Sequence, residues 1–418
     1  MELRSHQQEI LSQLLAKQHV YGFLPTGSGK SLCYQIPARD WGWRVLVVSP
    51  LVALIEDQVR AAEKLQIKVA RIHSALPERD REREMSSIFD HDTRLIFISP
   101  ERFVQWSENP NKQNLLRSFS LLALDELHCA FDWEDFRGSY AALAKPIQNF
   151  ASWGLLLGLS GSLSAVQAES FFAKSNLSVK LVLRALGREN LQQFILDLEN
   201  ESERSLLLAA LLREVETPST AIVYCSSRVS AENTKIFLSS LGLKADVFHA
   251  GLPAQTRMQR VEDFRSGRLR IVCASNAFGM GIDYPAVDRV IHLGMPYDIN
   301  SYWQGIGRAG RDGRSASGFV LWCRSDALRL HSMTSSAQNR AKKLWALFLR
   351  EECRKISLAK YFGLPQEPCW ACDVCWRKKN FSLPRFLPDP HFWLYRRQWW
   401  LKSRMDTEAW LEEYFISS

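Results

Sequence analysis

The chain has 418 residues, 46% of them hydrophobic and 23% charged, with a net charge of +8. This is the balance of a soluble globular protein with room for two sizeable domains and an appendage. No apolar run approaches the roughly 18 residues that span a bilayer, and residues 1–6 lack the apolar stretch of a secretory signal. An intracellular protein without a membrane partner is expected, cytoplasmic or, in a bacterium, nucleoid-associated.

From the N-terminus, short aliphatic runs alternate with helical patterns. Strands are expected at 20–24, 45–49, 95–99, 121–124 and 155–159, with helices such as 31–38 and 54–65 between them. A second series follows at 221–224, 245–249, 271–274, 289–293 and 318–322. Such alternation implies βαβ units and parallel sheets. The expectation is an α/β protein of two similar lobes, jointed near 180–205, with no detectable sequence repeat between them. Helix formers take over at 338–349 and 351–361. From Trp376 to Arg404 eight Lys and Arg stand against one Asp, so the positive excess is concentrated there and hints at a polyanionic partner. Rings are interleaved in that tail, which suits either a nucleic-acid strand or an amphipathic helix packed on the body.

Pro25, Thr26, Gly27, Ser28, Gly29, Lys30 and Ser31 follow the first expected strand. Glycines let backbone amides turn around a phosphate, Lys30 adds a point charge, and Ser31 offers a hydroxyl to Mg²⁺. Asp125 and Glu126 end the strand at 121–124, where one carboxylate can hold the metal and the other can act as general base. Arg308 and Arg311 lie three apart, so on a helix they share a face and offer guanidinium forks to a phosphate. Cys33, Cys129, Cys225, Cys273 and Cys323 sit beside apolar residues and are expected as buried small hydrophobes. Cys353, Cys369, Cys372 and Cys375 cluster instead. Four thiolates can close a tetrahedral Zn²⁺ site, and their spacing is also found in iron–sulfur ligation.

With these features in this order, the chain resembles the RecQ family of two-lobed DNA helicases over residues 3–376. The matching motifs are Arg4 with Gln7, the Pro25–Ser31 loop, Ser49-Pro50-Leu51 with Asp57-Gln58-Val59, Ser99-Pro100-Glu101-Arg102, and Asp125-Glu126-Leu127-His128. They continue with Tyr224 to Arg228, His249-Ala250-Gly251-Leu252, Ala277 to Ile282, and Gln304 to Arg311. The resemblance implies two tandem RecA-like parallel-sheet lobes at 1–185 and 186–330, a zinc-binding helical module at 331–380 and a basic aromatic tail at 381–418. It implies ATP-dependent 3′→5′ DNA unwinding in repair and recombination, with ATP, Mg²⁺ and Zn²⁺ as cofactors. Partners would be single-stranded DNA, forked or tailed duplexes, and repair or single-strand-binding proteins.

By the same resemblance, Arg4 and Gln7 read adenine, while Thr26, Gly27, Ser28, Gly29, Lys30 and Ser31 hold the phosphates. Ser31 and Asp125 hold magnesium, and Gln304, Arg308 and Arg311 serve hydrolysis with Lys30, Asp125 and Glu126. Cys353 joins the three downstream cysteines around zinc. Trp133, Phe136 and Arg137 match an aromatic-rich loop that senses single-stranded DNA; from the residues alone, a buried aromatic pair closing a sheet edge is the favoured reading of Trp133 and Phe136.

The chain departs from the family pattern in several places. It begins almost at Arg4, without the upstream aromatic that stacks on adenine. The aromatic loop is one residue shorter, Ser160-Gly161-Ser162 stands for Thr-Ala-Thr, and Gly305 replaces an acidic residue. Only 43 residues follow Cys375, too few for a winged helix and a further helical domain. The competing expectations are an RNA helicase and a strand-annealing factor whose ATPase is regulatory.

Overall fold

The computed structural model describes residues 3–25, 27–132, 142–213, 220–275, 287–367, 369 and 372–378. It divides into two compact units at Gly187 and Arg188, with Leu358–Glu367 grouped with the first. Both units are α/β, each built on one parallel sheet.

In the first unit the strands are β1 Val20–Phe23, β2 Val45–Val48, β3 Val69–Ile72, β4 Leu95–Ile98, β5 Leu121–Leu124, β6 Leu155–Ser160 and β7 Lys180–Leu183, in the spatial order β3-β4-β2-β5-β6-β1-β7. All their pairings are parallel. The strands β1, β2, β4 and β5 are buried at every position. Continuous apolar runs are what helices on both faces of a parallel sheet require. Each such side chain removed from water contributes about 1.5–3 kcal/mol.

The second unit holds β8 Leu191–Leu198, β9 Ala221–Cys225, β10 Ala245–Phe248, β11 Ile271–Ala274, β12 Arg289–Leu293 and β13 Ala316–Cys323, ordered β10-β11-β9-β12-β13-β8. Of the thirteen strands among the described residues, the sequence pattern anticipated ten and missed β3, β7 and β8, each of which lies at a sheet edge. The five isolated cysteines are buried, as expected of small hydrophobes.

The similar architecture expected of the two units is visible as a structural repeat of elements, in frame over half a lobe. Helix Val52–Lys64, β3, helix Glu78–Phe89 and β4 each recur 176 residues later, as Arg228–Ser240, β10, Ala254–Arg265 and β11. The turn ending the first of these helices recurs with them, with left-handed backbone at Gln66 (φ 59°) and Gly242 (φ 77°). So does a pair of a buried histidine and a partly exposed glutamate: His73 Nε2 lies 2.9 Å from Glu56 Oε1, and His249 Nε2 lies 3.0 Å from Glu232 Oε1. Both histidines open a His-x-x-Leu-Pro corner into the next helix. Few identities survive elsewhere, because a buried β-strand demands apolar character rather than particular residues.

Candidate functional site

β5, β6 and β1 are neighbours, so the loops leaving their carboxyl ends converge, which is where open parallel sheets place ligands. After β1 the chain turns through Gly27 (φ 81°) and Gly29 (φ 77°), backbone that glycine adopts without strain, before helix Leu32–Asp40 begins. Lys30 Nζ donates to Glu126 Oε1 at 2.7 Å. Glu126 Oε2 lies 3.4 Å from His128 Nδ1, and the same nitrogen lies 3.3 Å from Ser160 Oγ at the end of β6. The Ser160 hydroxyl also accepts from the amides of Ser162 and Leu163, both at 3.2 Å. Thus the first hydroxyl of Ser160-Gly161-Ser162 pins the turn and reaches the Asp125-Glu126-Leu127-His128 box.

The two carboxylates sit in unequal surroundings. Asp125 is buried, and burial, then the Glu126 charge, raises its pKa from 3.8 to about 6, with Lys30 opposing. Glu126, with left-handed backbone at φ 48°, keeps about a quarter of its side chain exposed and holds Lys30. One carboxylate is thus dry and inclined to keep a proton, while the other is wetter and paired with a cation. Such separation commonly marks a divided task.

Arg4 and Gln7 were expected at adenine; their hydrogen bonds run to the loop. Gln7 Nε2 donates to the carbonyls of Ser28 (3.1 Å) and Gly29 (3.0 Å), and Arg4 Nη1 donates to that of Gly27 (3.1 Å). His6 Nε2 lies 3.1 Å from the Ser28 carbonyl oxygen, and burial lowers the pKa of its ring, which favours the neutral donor. Sequence reasoning missed His6; its place between Arg4 and Gln7 was the available signal. Ser28 Oγ is buried without a hydrogen-bond partner, an orphaned group in this loop. Together with Lys30 and the Ser31 hydroxyl it fits a nucleotide's phosphates and their magnesium. Thr26 lies outside the described residues.

In the second unit Gln304 lies on helix Ile299–Ile306. Arg308 and Arg311 do not share a helix face as expected. The helix ends at Ile306, Gly310 adopts φ 59°, and its amide leaves the helix to bond the Val287 carbonyl at 2.8 Å. Both arginines therefore occupy a turn between that helix and β13. Gly305, at the family's acidic position, has a structural reason: a Cβ there would lie 2.7 Å from Nε2 of His292. That ring is buried and stacked on Tyr224 at 5.1 Å, and burial lowers its pKa to about 3.

The cysteine sulfurs of Cys353, Cys369, Cys372 and Cys375 all lie within 4.8 Å of one another. Tetrahedral Zn–S bonds of about 2.3 Å put sulfurs roughly 3.8 Å apart, so the set fits one ion; an iron–sulfur cluster would spread them further. Hydrogen bonds from Cys369 and then Cys372 hold the Cys353 thiol far below its usual range, while burial and then the Cys372 charge push the Cys375 thiol up to about 12. Arg354 clamps Asp373 through two bonds of 2.9 and 2.8 Å, fixing the residues beside two of the cysteines. The other close group, Glu201, Cys323 and Asp326, already has its cation, since Arg204 donates to both carboxylates. Trp133, Phe136, Arg137, the 277–282 motif and the 381–418 tail lie outside the described residues.

Residues 4–170 match the DEAD/DEAH box helicase model and residues 203–313 the helicase conserved C-terminal domain, which places the chain in the class of two-lobed helicases. Within that class it belongs to the RecQ-like family. It is 32% identical over 394 residues to a putative ATP-dependent DNA helicase Q1 of Caenorhabditis briggsae, covering 91% of this chain and 64% of the relative. It is 30% identical over 395 residues to the ATP-dependent DNA helicase RecQ of Haemophilus influenzae, covering 89% and 61%. The chain thus spans under two thirds of these relatives' length. A structure of the Mycobacterium smegmatis helicase Lhr, bound to ssDNA and AMP-PNP, shares the fold at a TM-score of 0.59 and 21% identity, covering 92% of this chain and 54% of that one. Among the described residues no helix is long and apolar enough to cross a membrane.

Proposed function

We propose that the chain is the motor region of an ATP-dependent DNA helicase that moves 3′→5′ along single-stranded DNA and serves repair and recombination. The observation that carries this is the convergence at the ends of β1, β5 and β6. A glycine loop with an orphaned hydroxyl, the Lys30 ammonium and two carboxylates of unequal environment meet there. The names of the relatives support ATP as fuel and DNA as track.

In this role Thr26, Gly27, Ser28, Gly29 and Lys30 hold the phosphates, while Arg4 and Gln7 set the shape of the loop on the nucleotide's base side. Ser31 and Asp125 hold magnesium, which when bound neutralises phosphate charge. Glu126, released by Lys30 when that ammonium turns to the phosphates, accepts the proton of the attacking water. Gln304, Arg308 and Arg311 act on charge that spreads over the transferred phosphoryl group, where positioning and electrostatics supply nearly all the catalysis. Trp133 and Phe136 stack on bases and Arg137 meets a phosphate. Cys353, Cys369, Cys372 and Cys375 hold zinc, whose binding there is folding free energy.

A strand-displacement assay tests this with duplexes carrying a 3′ or a 5′ tail, with and without ATP, in DNA and in RNA. ATP-dependent opening of the 3′-tailed DNA alone is expected. Opening of RNA, or pairing activity that ignores ATP, would favour an RNA helicase or an annealing factor.

A further inference from the structure

The turn that carries Arg308 and Arg311 is fixed twice over. Its amides are held by the main chain: Arg308 N donates to the Gly305 carbonyl (3.2 Å), Ala309 N to Ile306 (3.0 Å), Gly310 N to Val287 (2.8 Å) and Gly313 N to Gly310 (3.2 Å). Its carbonyls are held by two side chains from the segment just before β8. Arg188 donates from Nη1 to the Gly307 carbonyl at 3.0 Å and from Nη2 to that of Ala309, the two carbonyls on either side of Arg308. Asn190 Nδ2 donates to the Gly310 carbonyl at 2.8 Å and the Arg314 carbonyl at 2.7 Å, bracketing Arg311. The Asn190 carbonyl in turn accepts from Ala316 N at 2.9 Å, where β13 begins to pair with β8.

Arg188 occupies this place at a cost. Its backbone is left-handed at φ 59°, a conformation that disfavours any side chain beyond glycine. Burial, and then the nearby Arg311 charge, lowers its pKa to about 10, so it stays protonated at neutral pH but poorly solvated. Strain, desolvation and like-charge repulsion on one residue persist only where the surroundings over-determine them, and they gather at functional sites. Gly310 is part of the same construction, since a Cβ there would lie 2.5 Å from Asn190 Nδ2.

We propose that Arg188 and Asn190 are positioning residues for ATP hydrolysis, acting by locking the peptides that flank Arg308 and Arg311. This rests on the role given to those two arginines above. With these carbonyls held, the Cα–Cβ bond of each arginine leaves the turn along a fixed direction. Misplacement of a reacting group by about 1 Å can cost on the order of 100-fold in rate.

The test is steady-state ATP hydrolysis by the full chain with saturating single-stranded DNA, for Arg188→Ala, Arg188→Lys, Asn190→Asp, Arg311→Ala and the Asn190→Asp/Arg311→Ala double variant. Asn190→Asp keeps the shape and removes both donors, so it serves if Arg188→Ala fails to fold. Expected is a fall in kcat of about 10- to 100-fold for Arg188→Ala and Asn190→Asp. KM for ATP and DNA affinity should stay within about 3-fold, because the phosphate loop belongs to the other unit. Arg188→Lys should recover part of the loss, a single point charge reaching one carbonyl at a time. The double variant should turn over no more slowly than Arg311→Ala alone, since a residue acting through another is not additive with it. Wild-type kcat in Asn190→Asp, losses that appear in KM rather than kcat, or additive losses in the double variant would each overturn the proposal. Should Arg311→Ala itself keep full turnover, the role of the arginines falls instead.

Discussion

Asp125 carries a burial cost that a single substitution can remove. Its pKa stands at about 6 against 3.8 for an unperturbed carboxyl. An acid raised in this way stabilises the fold only while protonated. Its contribution is complete below the unfolded value and is lost as pH rises through the folded one. Each tenfold weakening of an acid corresponds to about 1.4 kcal/mol, so a rise from 3.8 to about 6 makes the penalty near pH 8 roughly 3 kcal/mol. Asp125→Asn removes the charge from both states and keeps an acceptor for the Glu126 amide, which now donates to Asp125 Oδ1 at 3.0 Å. Allowing for an amide that finds only part of its hydrogen bonds, the gain is on the order of 2 kcal/mol, or about 4–8 °C in the melting of a unit this size. ATP turnover should be lost at the same time, since the carboxylate proposed to hold magnesium is gone. Calorimetric melting at pH 8, 5 and 4 checks the account. The gain should fall to about a third at pH 5, where the unfolded acid is ionised but the folded one is not, and should be gone by pH 4. A variant that melts no higher at pH 8, or that gains equally at all three pH values, would refute the reasoning.

Further outcomes follow from the same geometry. Lys30→Ala removes the ammonium bonded to Glu126 and should lower DNA-stimulated ATP turnover by about 100-fold or more, while single-stranded DNA still binds by fluorescence anisotropy; retained turnover would remove Lys30 from the site. Cys372→Ser, at a fully buried position, should lower zinc content measured by atomic emission and destabilise the protein by roughly 3 kcal/mol or more. A full equivalent of zinc in that variant would show that the metal sits elsewhere. Gly305→Glu restores the family's acidic residue but drives a Cβ toward His292, so a loss of about 1–3 kcal/mol is expected in thermal melting. An unchanged midpoint would mean that the helix shifts to make room.

Local pattern was a good guide wherever a residue's role depends on its neighbours in the chain. Runs such as Val45–Val48 and Leu121–Leu124 declare interior strands, because both their faces are buried. The missed strands β3, β7 and β8 lie at sheet edges, where polar residues interleave with apolar ones and no continuous run forms. The glycine loop at 25–31 and the four cysteines were legible because the chemistry proposed for them demands particular residue types at particular spacings. Arg308 and Arg311 were legible as a pair but not as a turn; helical spacing gave no notice that Gly310 leaves the helix for Val287.

The α/β class, the ATP-type loop, its carboxylates and the cysteine cluster are properties of short stretches, and the order of residues was enough to find them. The unequal surroundings of Asp125 and Glu126, the loop contacts of Arg4, His6 and Gln7, and the in-frame repeat between the units came into view only with the folded chain. Folding also brought Arg188 and Asn190 to carbonyls 119 and 120 residues away. Main-chain acceptors exist at every residue and leave no mark in composition or periodicity, so only the folded path of the chain selects which of them a side chain meets.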